Sequence, residues 1–335
     1  MGRLGVSAII PTYNRCHLIG RAICCALHDL EPGDEIVVVD DGSTDGTEEV
    51  VRGIADKRVR YVHQANAGAG AARNRGALEA RHDLLAYLDS DDQWIPGKTA
   101  LQRRFFEARD DVLFCFTNFA REYGGMRYGR DIARWSADAR GWDDIMGPPT
   151  LYSAAAELPP QVPDFPVYVG DIYRSEMHTN YILTSCLMVR ARVREAARFS
   201  TTVRTYEDWA YFGQLARLGV GVFLDHESAV QYGHPGPRLT DADELTRIEC
   251  RLSILHDVWG SDPDFLGKHG GEYRALVREL LLLKTRRLLG LGRRAEALAT
   301  MRVVSGLPAS YRIMASLPPP VLRFLAASKQ FATSA

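Results

Sequence analysis

What most constrains the fold of this chain is a regular alternation in its first 120 residues between short apolar runs and helix-like stretches. Val6 to Ile10, Glu35 to Val39, Arg58 to His63, Leu84 to Leu88 and Val112 to Phe116 are short, rich in Val, Ile, Leu or aromatics, and bounded by Gly, Pro, Asn or Asp. They read as strands. The segments 15–29, 45–56, 69–82 and 96–109 between them read as helices. Such a β-α-β-α order predicts an α/β fold with a mostly parallel sheet covered on both faces. In sheets of that kind ligands bind beyond the carboxyl ends of the strands, so the residues just after each strand carry the functional information.

At 335 residues the chain is long enough for one large domain or two ordinary ones. Its 46% apolar and 25% charged content is that of a soluble globular protein. A net charge of −1 argues against a nucleic-acid binder. The longest apolar runs, such as Leu280 to Leu283, fall far short of the roughly 20 residues a membrane span needs. Met1 leads directly into a strand-like run with no secretory pattern. The six cysteines lack any C-x-x-C pair and read as structural thiols of a reducing compartment. The expectation is a cytoplasmic protein.

Beyond residue 118 the pattern loosens. Pro148-Pro149, Pro159-Pro160, Pro163 and Pro166 interrupt any long element between about 120 and 205. A long irregular stretch of this kind is usually functional, often a substrate loop, with a mobile linker as the alternative. Tyr181 to Val189 and Val220 to Leu224 read as strands with a helix near 207–218 between them, and 242–304 reads as mostly helical. From Arg274 to Lys329 eleven Lys or Arg face two Glu, so a basic C-terminal region sits on an acidic body. The expected division is 1–118, 119–240 and a helical, basic 241–335.

Three strand ends carry polar groups: Pro11-Thr12-Tyr13-Asn14, Asp40-Asp41-Gly42-Ser43 and Asp89-Ser90-Asp91-Asp92. Three carboxylates within four residues repel one another unless a cation sits among them. Oxygen ligands suit Mg²⁺ or Mn²⁺, which take one or two carboxylates plus substrate phosphates. An acidic helix N-terminus is the other reading. Two imitations fail on inspection. Asp41 to Gly46 starts like a calcium loop, but the twelfth position is Arg52 rather than an acid. Gly68-Ala69-Gly70-Ala71-Ala72-Arg73 starts like a dinucleotide fingerprint, but its third glycine is Arg73.

Taken in order and at their spacing, these segments resemble the nucleotide-sugar half of a family 2 glycosyltransferase of the GT-A fold, with a helical C-terminal extension. The resembling runs are Val6 to Arg15, Glu35 to Thr47, Asn66 to Gly68 with Ala72 to Gly76, and Tyr87 to Asp92. They cover residues 4 to about 118 well and the rest in outline.

The resemblance implies a nucleotide pocket of Pro11, Thr12, Tyr13 and Asn14, with Asp41 on the base and Asn66 and Arg73 near the base and diphosphate. Asp89-Ser90-Asp91 resembles the D-x-D signature, with Asp91 as first metal ligand and Asp89 and Asp92 as the others. Tyr206-Glu207-Asp208-Trp209 resembles the acidic pair of the acceptor side, making Asp208 the general base; a helix cap is the alternative. His234 and Arg238 would approach metal or diphosphate.

The implied reaction is inverting transfer of a sugar from a nucleotide diphosphate sugar, a UDP-sugar favoured, to a glycan, lipid-linked or small-molecule hydroxyl. The metal would neutralise the leaving diphosphate, and Asp208 would take the acceptor proton. A sugar nucleotidyltransferase would ordinarily show a Gly-rich loop where Pro11 to Asn14 stand. A binding subunit without turnover is the alternative from another class. The basic C-terminal region reads as a solvated face, a partner surface or a peripheral contact with an anionic membrane.

Overall fold

The computed structural model describes residues 2–136, 138–232 and 242–317. Two compact units divide the chain: Met1–Thr202 with Glu207–Gly236, and Val203–Tyr206 with Pro237–Ala335.

The first unit begins with β1 (Val6–Thr12), α1 (Ile19–Asp29), β2 (Glu35–Asp40), α2 (Thr47–Arg52), β3 (Val59–His63), α3 (Ala69–Glu79) and β4 (Leu84–Tyr87). Every residue of β1, β2 and β4 is buried, as strands covered on both faces must be. Helix α1 turns Ile19, Ala22, Ile23 and Ala26 inward, one stripe at helical spacing.

There follow β5 (Gln93–Trp94), α4 (Lys98–Ala108), β6 (Phe114–Tyr123), β7 (Met126–Tyr128), α5 (Ile132–Ser136), α6 (Trp142–Met146), β8 (Thr150–Leu151) and α7 (Tyr152–Ala155). The unit ends with β9 (Pro166–Gly170), α8 (Tyr173–Glu176), β10 (Met188–Arg190), α9 (Glu207–Leu218) and β11 (Gly221–Tyr232).

The strands form one sheet in the order β3-β2-β1-β4-β10-β6-β11-β9-β8, with β5 on β11 and β7 on β6. The β3-β2-β1-β4 portion is parallel. Antiparallel β10 then joins β4 to β6, so the sheet as a whole is mixed. The chain winds outward from β1 to β3 and returns to place β4 on the other side of β1. That reversal opens a crevice at the carboxyl ends of β1 and β4. Strand β6 runs through residue 118, so the two halves expected from the sequence share one sheet.

One element departs from expectation. The apolar run Tyr181 to Val189 is not a continuous strand: Thr184–Cys186 is a single 3₁₀ turn, and β10 begins only at Met188. All nine residues are buried, so their apolar character reports burial on every side rather than pleating.

The second unit contains α10 (Glu244–Ile254), α11 (Pro263–Gly290), α12 (Arg294–Val303) and α13 (Ala309–Ser316). Asp243 caps α10 by accepting from the Thr246 amide. Asp262 caps α11 with Pro263 in its first turn. Leu245, Leu288, Leu289, Ala297, Met301 and Ala315 form its core. Among the described residues no helix is long and apolar enough to cross a membrane.

Helix α3 lies on the sheet through Gly76, where an added Cβ would stand 2.4 Å from Ile9 Cγ2 and 3.3 Å from Val39 Cγ2. Overpacking costs about 1–3 kcal/mol, which outweighs the helix-propensity gain of at most about 1 kcal/mol. Gly76→Ala is therefore expected to lower the urea midpoint of unfolding; an unchanged or higher midpoint would show that the sheet yields.

Candidate active site

The crevice is built from strand ends. After β1 the chain turns at Asn14, which holds φ +51, a conformation asparagine tolerates. The Asn14 amide donates to Ser43 Oγ (2.9 Å), and its Oδ1 accepts from the Thr44 amide (2.8 Å). The first and second strand ends are thus stitched together. Thr12 is buried, and its Oγ1 has no hydrogen-bond partner among the described residues. Pro11 lies beside it in β1, and Tyr13 is half exposed.

Asp41 follows β2 and is buried. Its Oδ1 accepts from Gln64 Nε2 (2.7 Å) and the Ala67 amide (2.9 Å), and its Oδ2 from the Gly68 amide (2.8 Å). Asn66 Nδ2 donates to the Asp41 carbonyl. The residue expected on the base is first the anchor of the 64–68 loop, and about one lone-pair position is left for a ligand. Gly42, at φ +81, would carry a Cβ only 2.9 Å from the Asn66 amide nitrogen, so glycine is required there.

Arg73, on α3, is 5% exposed and makes two ion pairs. Its Nη2 donates to Asp89 Oδ1 (2.7 Å) and its Nη1 to Glu207 Oε1 (2.9 Å), while the guanidinium lies over the Phe199 ring at 5.2 Å. The resemblance expects Arg73 near the base and diphosphate. A buried guanidinium needs counter-charges, and here two protein carboxylates supply them. The bridge ties α3 to the start of α9, 134 residues further along the chain, and holds the end of β4 beside them.

The three aspartates after β4 separate by environment. Asp89 is held by Arg73, yet burial and the nearby Asp91 and Glu207 raise its carboxyl above the usual range. Asp91 stands half exposed, with Arg21 donating to its backbone carbonyl (2.9 Å). Asp92 is buried and accepts from Ser185 Oγ (2.6 Å). Burial, then Asp91 and Asp89, push its carboxyl well up. Of the expected metal ligands, Asp92 is thus the one bonded to a protein hydroxyl, and Asp91 the more open. Ser90 is buried within the turn.

Glu207 and Asp208 open α9, directly after Tyr206, whose φ of +65 is costly for a bulky residue. Asp208 Oδ1 accepts from the Trp209 amide (2.8 Å), and Oδ2 accepts from Thr184 Oγ1 (3.4 Å). Burial first and Glu207 second push the Asp208 carboxyl up to about 7, against the opposing pull of Arg73.

Three contributors escaped the sequence reading. Thr184 touches Asp208, and Ser185 bonds both Asp92 and the Asp89 amide (3.1 Å). Glu176 is fully buried, with Oε1 unpartnered, and burial raises its carboxyl well above the ordinary range. Thr184 and Ser185 are marked in the sequence only as polar residues inside an apolar run, and Glu176, among Arg174, Ser175 and His178, carries no such mark. His234 and Arg238 lie outside the described residues. The thiols of Cys25, Cys115 and Cys186 are pushed up to about 11, 12 and 12 by burial, unsuited to nucleophilic work.

Acidic groups thus crowd the crevice around Arg73, an arrangement short of positive charge. Among the described residues no three His, Cys, Asp or Glu side chains converge into a cage for a metal ion. A half-exposed Asp91 beside this acidic cluster does fit a hard divalent ion that completes its shell with phosphate oxygens.

Residues 7–158 match the family model for glycosyl transferase family 2. This stretch is similar to family 2 glycosyltransferases. A validoxylamine A glucosyltransferase of Streptomyces hygroscopicus subsp. limoneus is 47% identical over 90 residues, 25% of this chain and 20% of that protein. A glycosyltransferase of uncharacterised role from Rickettsia bellii is 36% identical over 117 residues, 35% of this chain and 17% of its own length. The chain spans only 17–19% of the first curated relatives it matches. In fold it resembles S. aureus TarS 1-349 in complex with UDP-GlcNAc, at TM-score 0.56, 18% identity and 92% of each chain. It also resembles the mannosyltransferase PcManGT of Pyrobaculum calidifontis in complex with GDP-Man and Mn²⁺, at TM-score 0.54, 18% identity, 99% of this chain and 81% of that one. These likenesses give the GT-A fold, here with a helical C-terminal unit.

Replacing Arg73 by Met leaves Glu207 and Asp89 without their counter-charge and is expected to cost about 3 kcal/mol in denaturant unfolding. Adding Glu207→Leu should recover part of the loss; strictly additive losses would show that the bridge carries no coupling.

Proposed function

We propose that this chain is a family 2 glycosyltransferase that transfers a sugar from a nucleotide diphosphate sugar, a UDP-sugar favoured, to an acceptor hydroxyl with inversion. The observation that carries this reading is the Arg73 bridge, which brings Asp89 and the Glu207-Asp208 pair to one crevice at the β1/β4 reversal. Thr12, with its unpartnered buried hydroxyl, and Pro11, Tyr13, Asn14 and Asn66 line the nucleotide end. Asp41 would offer its last acceptor position to the base.

Asp91 would hold Mg²⁺ or Mn²⁺, with Asp89 behind it fixed by Arg73. When bound, the ion supplies positive charge to the leaving diphosphate. Asp208 accepts the proton of the acceptor hydroxyl as that oxygen attacks the anomeric carbon from the face opposite the leaving group. A single base and one displacement invert the centre. Burial keeps the Asp208 carboxyl basic enough for this work near neutral pH. Glu207 stays paired to Arg73, and Thr184 orients the Asp208 oxygen.

Two consequences follow with opposite signs. The base acts only when deprotonated, so transfer should rise with pH through about 7. The same raised pKa means that the folded state holds a proton the unfolded chain has lost, so this group's contribution to stability falls as pH rises from about 4 to about 7.

Asp208→Asn is accordingly expected to abolish release of nucleoside diphosphate in the presence of acceptor, to leave nucleotide affinity within a few-fold, and to stabilise the fold by about 0.5–2 kcal/mol. Chromatography of the released nucleotide, with a thermal melt alongside, checks all three. Wild-type turnover in the variant would remove Asp208 from the mechanism. Nucleotide binding with no turnover of any donor by the wild type would favour a non-catalytic subunit.

A further inference from the structure

Trp142 opens α6 and is half buried. Its ring packs on Phe223 at 4.1 Å, Tyr181 at 5.4 Å and Phe116 at 5.8 Å, all fully buried. Tyr168, also half buried, lies 6.3 Å from Trp142 and stacks on the same Phe223 at 5.8 Å. Two partly open rings therefore stand on a closed aromatic floor. Buried indole N–H and phenol O–H groups normally find partners. Among the described residues neither Trp142 Nε1–H nor the Tyr168 hydroxyl has one. Both rings offer an apolar face and a polar tip.

The floor is tied to the reacting centre. Tyr181 donates its hydroxyl to Asp138, and Arg140 Nη2 donates to Tyr181 Oη (3.2 Å), which fixes the Tyr181 ring. The Tyr181 amide donates to Glu176 Oε2 (3.4 Å). Three residues further on, Thr184 Oγ1 donates to Asp208 Oδ2. One short segment, Tyr181 to Thr184, therefore carries both the floor under Trp142 and the contact to Asp208.

We propose that Trp142 and Tyr168 form a platform on which a pyranose ring of the acceptor stacks, so that the acceptor is a saccharide; this rests on the glycosyl-transfer reading and deepens it. A sugar ring presents a C–H face to the aromatic rings and hydroxyls to the two free polar tips. The exposed carboxylates of Asp143 and Asp144, beside Trp142 in α6, suit a polyhydroxylated ligand. A lipid chain would have to desolvate them. The rigid floor holds both rings before the ligand arrives, which lowers the entropic cost of binding.

The test uses the full chain labelled with 5-fluorotryptophan, the Trp142 ¹⁹F resonance being assigned by its loss in Trp142→Phe. Methyl glycosides and disaccharides of glucose, galactose, mannose and N-acetylglucosamine are the probes. At least one saccharide should move the Trp142 resonance and leave those of the other tryptophans in place. No shift with any of them overturns the proposal. With that saccharide and a nucleotide sugar present, Trp142→Ala should lower the ratio of transfer to donor hydrolysis about tenfold. Tyr168→Ala should lower it in the same sense and keeps the test open if the first variant fails to fold. An unchanged ratio in a folded variant also overturns it. If the resonance shifts yet no nucleoside diphosphate is released from any donor, the transfer reading fails while the saccharide site stands.

Discussion

The architecture of the crevice depends on one buried guanidinium. Arg73 reaches from α3 to two carboxylates that the sequence sets far apart, Asp89 after β4 and Glu207 at the start of α9. Taking Arg73 out of water is expensive, and the two bonds at 2.7 and 2.9 Å are what make the burial tolerable. The geometry follows from this. Asp89 cannot turn freely, Glu207 is neutralised, and Asp208 is the adjacent acid whose proton affinity is set chiefly by burial.

Around that bridge the site accumulates groups that do not favour folding. Glu176 and Asp92 are buried acids with raised proton affinity. Thr12 Oγ1 and Arg73 Nε are buried without partners among the described residues. Tyr206 adopts a left-handed backbone directly before the acidic pair. Such costs concentrate where function asks for preorganised charge, and they are supported by packing elsewhere. Here the support is the covered sheet of β1, β2 and β4.

Much of this was legible in the sequence because local pattern and tertiary role coincide over the first 120 residues. β1, β2 and β4 are short apolar runs ending at Thr12, Asp40 and Tyr87, and their parallel pairing puts those ends on one edge. Legibility fell where chemistry depends on long-range partners. Nothing local tells Asp91 from Asp92; the difference is that Ser185, 93 residues away, binds one of them. The bonds of Asp41 to Gln64, Ala67 and Gly68 are likewise invisible to pattern. The run from Tyr181 to Val189 read as a strand because complete burial imitates one. The 3₁₀ turn within it delivers Thr184 and Ser185 to the site.

The central claim is that this crevice is a nucleotide diphosphate site completed by a divalent ion at Asp91. Calorimetric titration of the full chain with UDP, GDP and dTDP, each with Mn²⁺ and with chelator, tests it most directly. The account predicts that one nucleotide binds, that chelation removes the binding, and that Asp91→Ala does the same while Asp92→Asn does not. Binding indifferent to both chelator and Asp91, or no binding of any nucleotide in either condition, would contradict it.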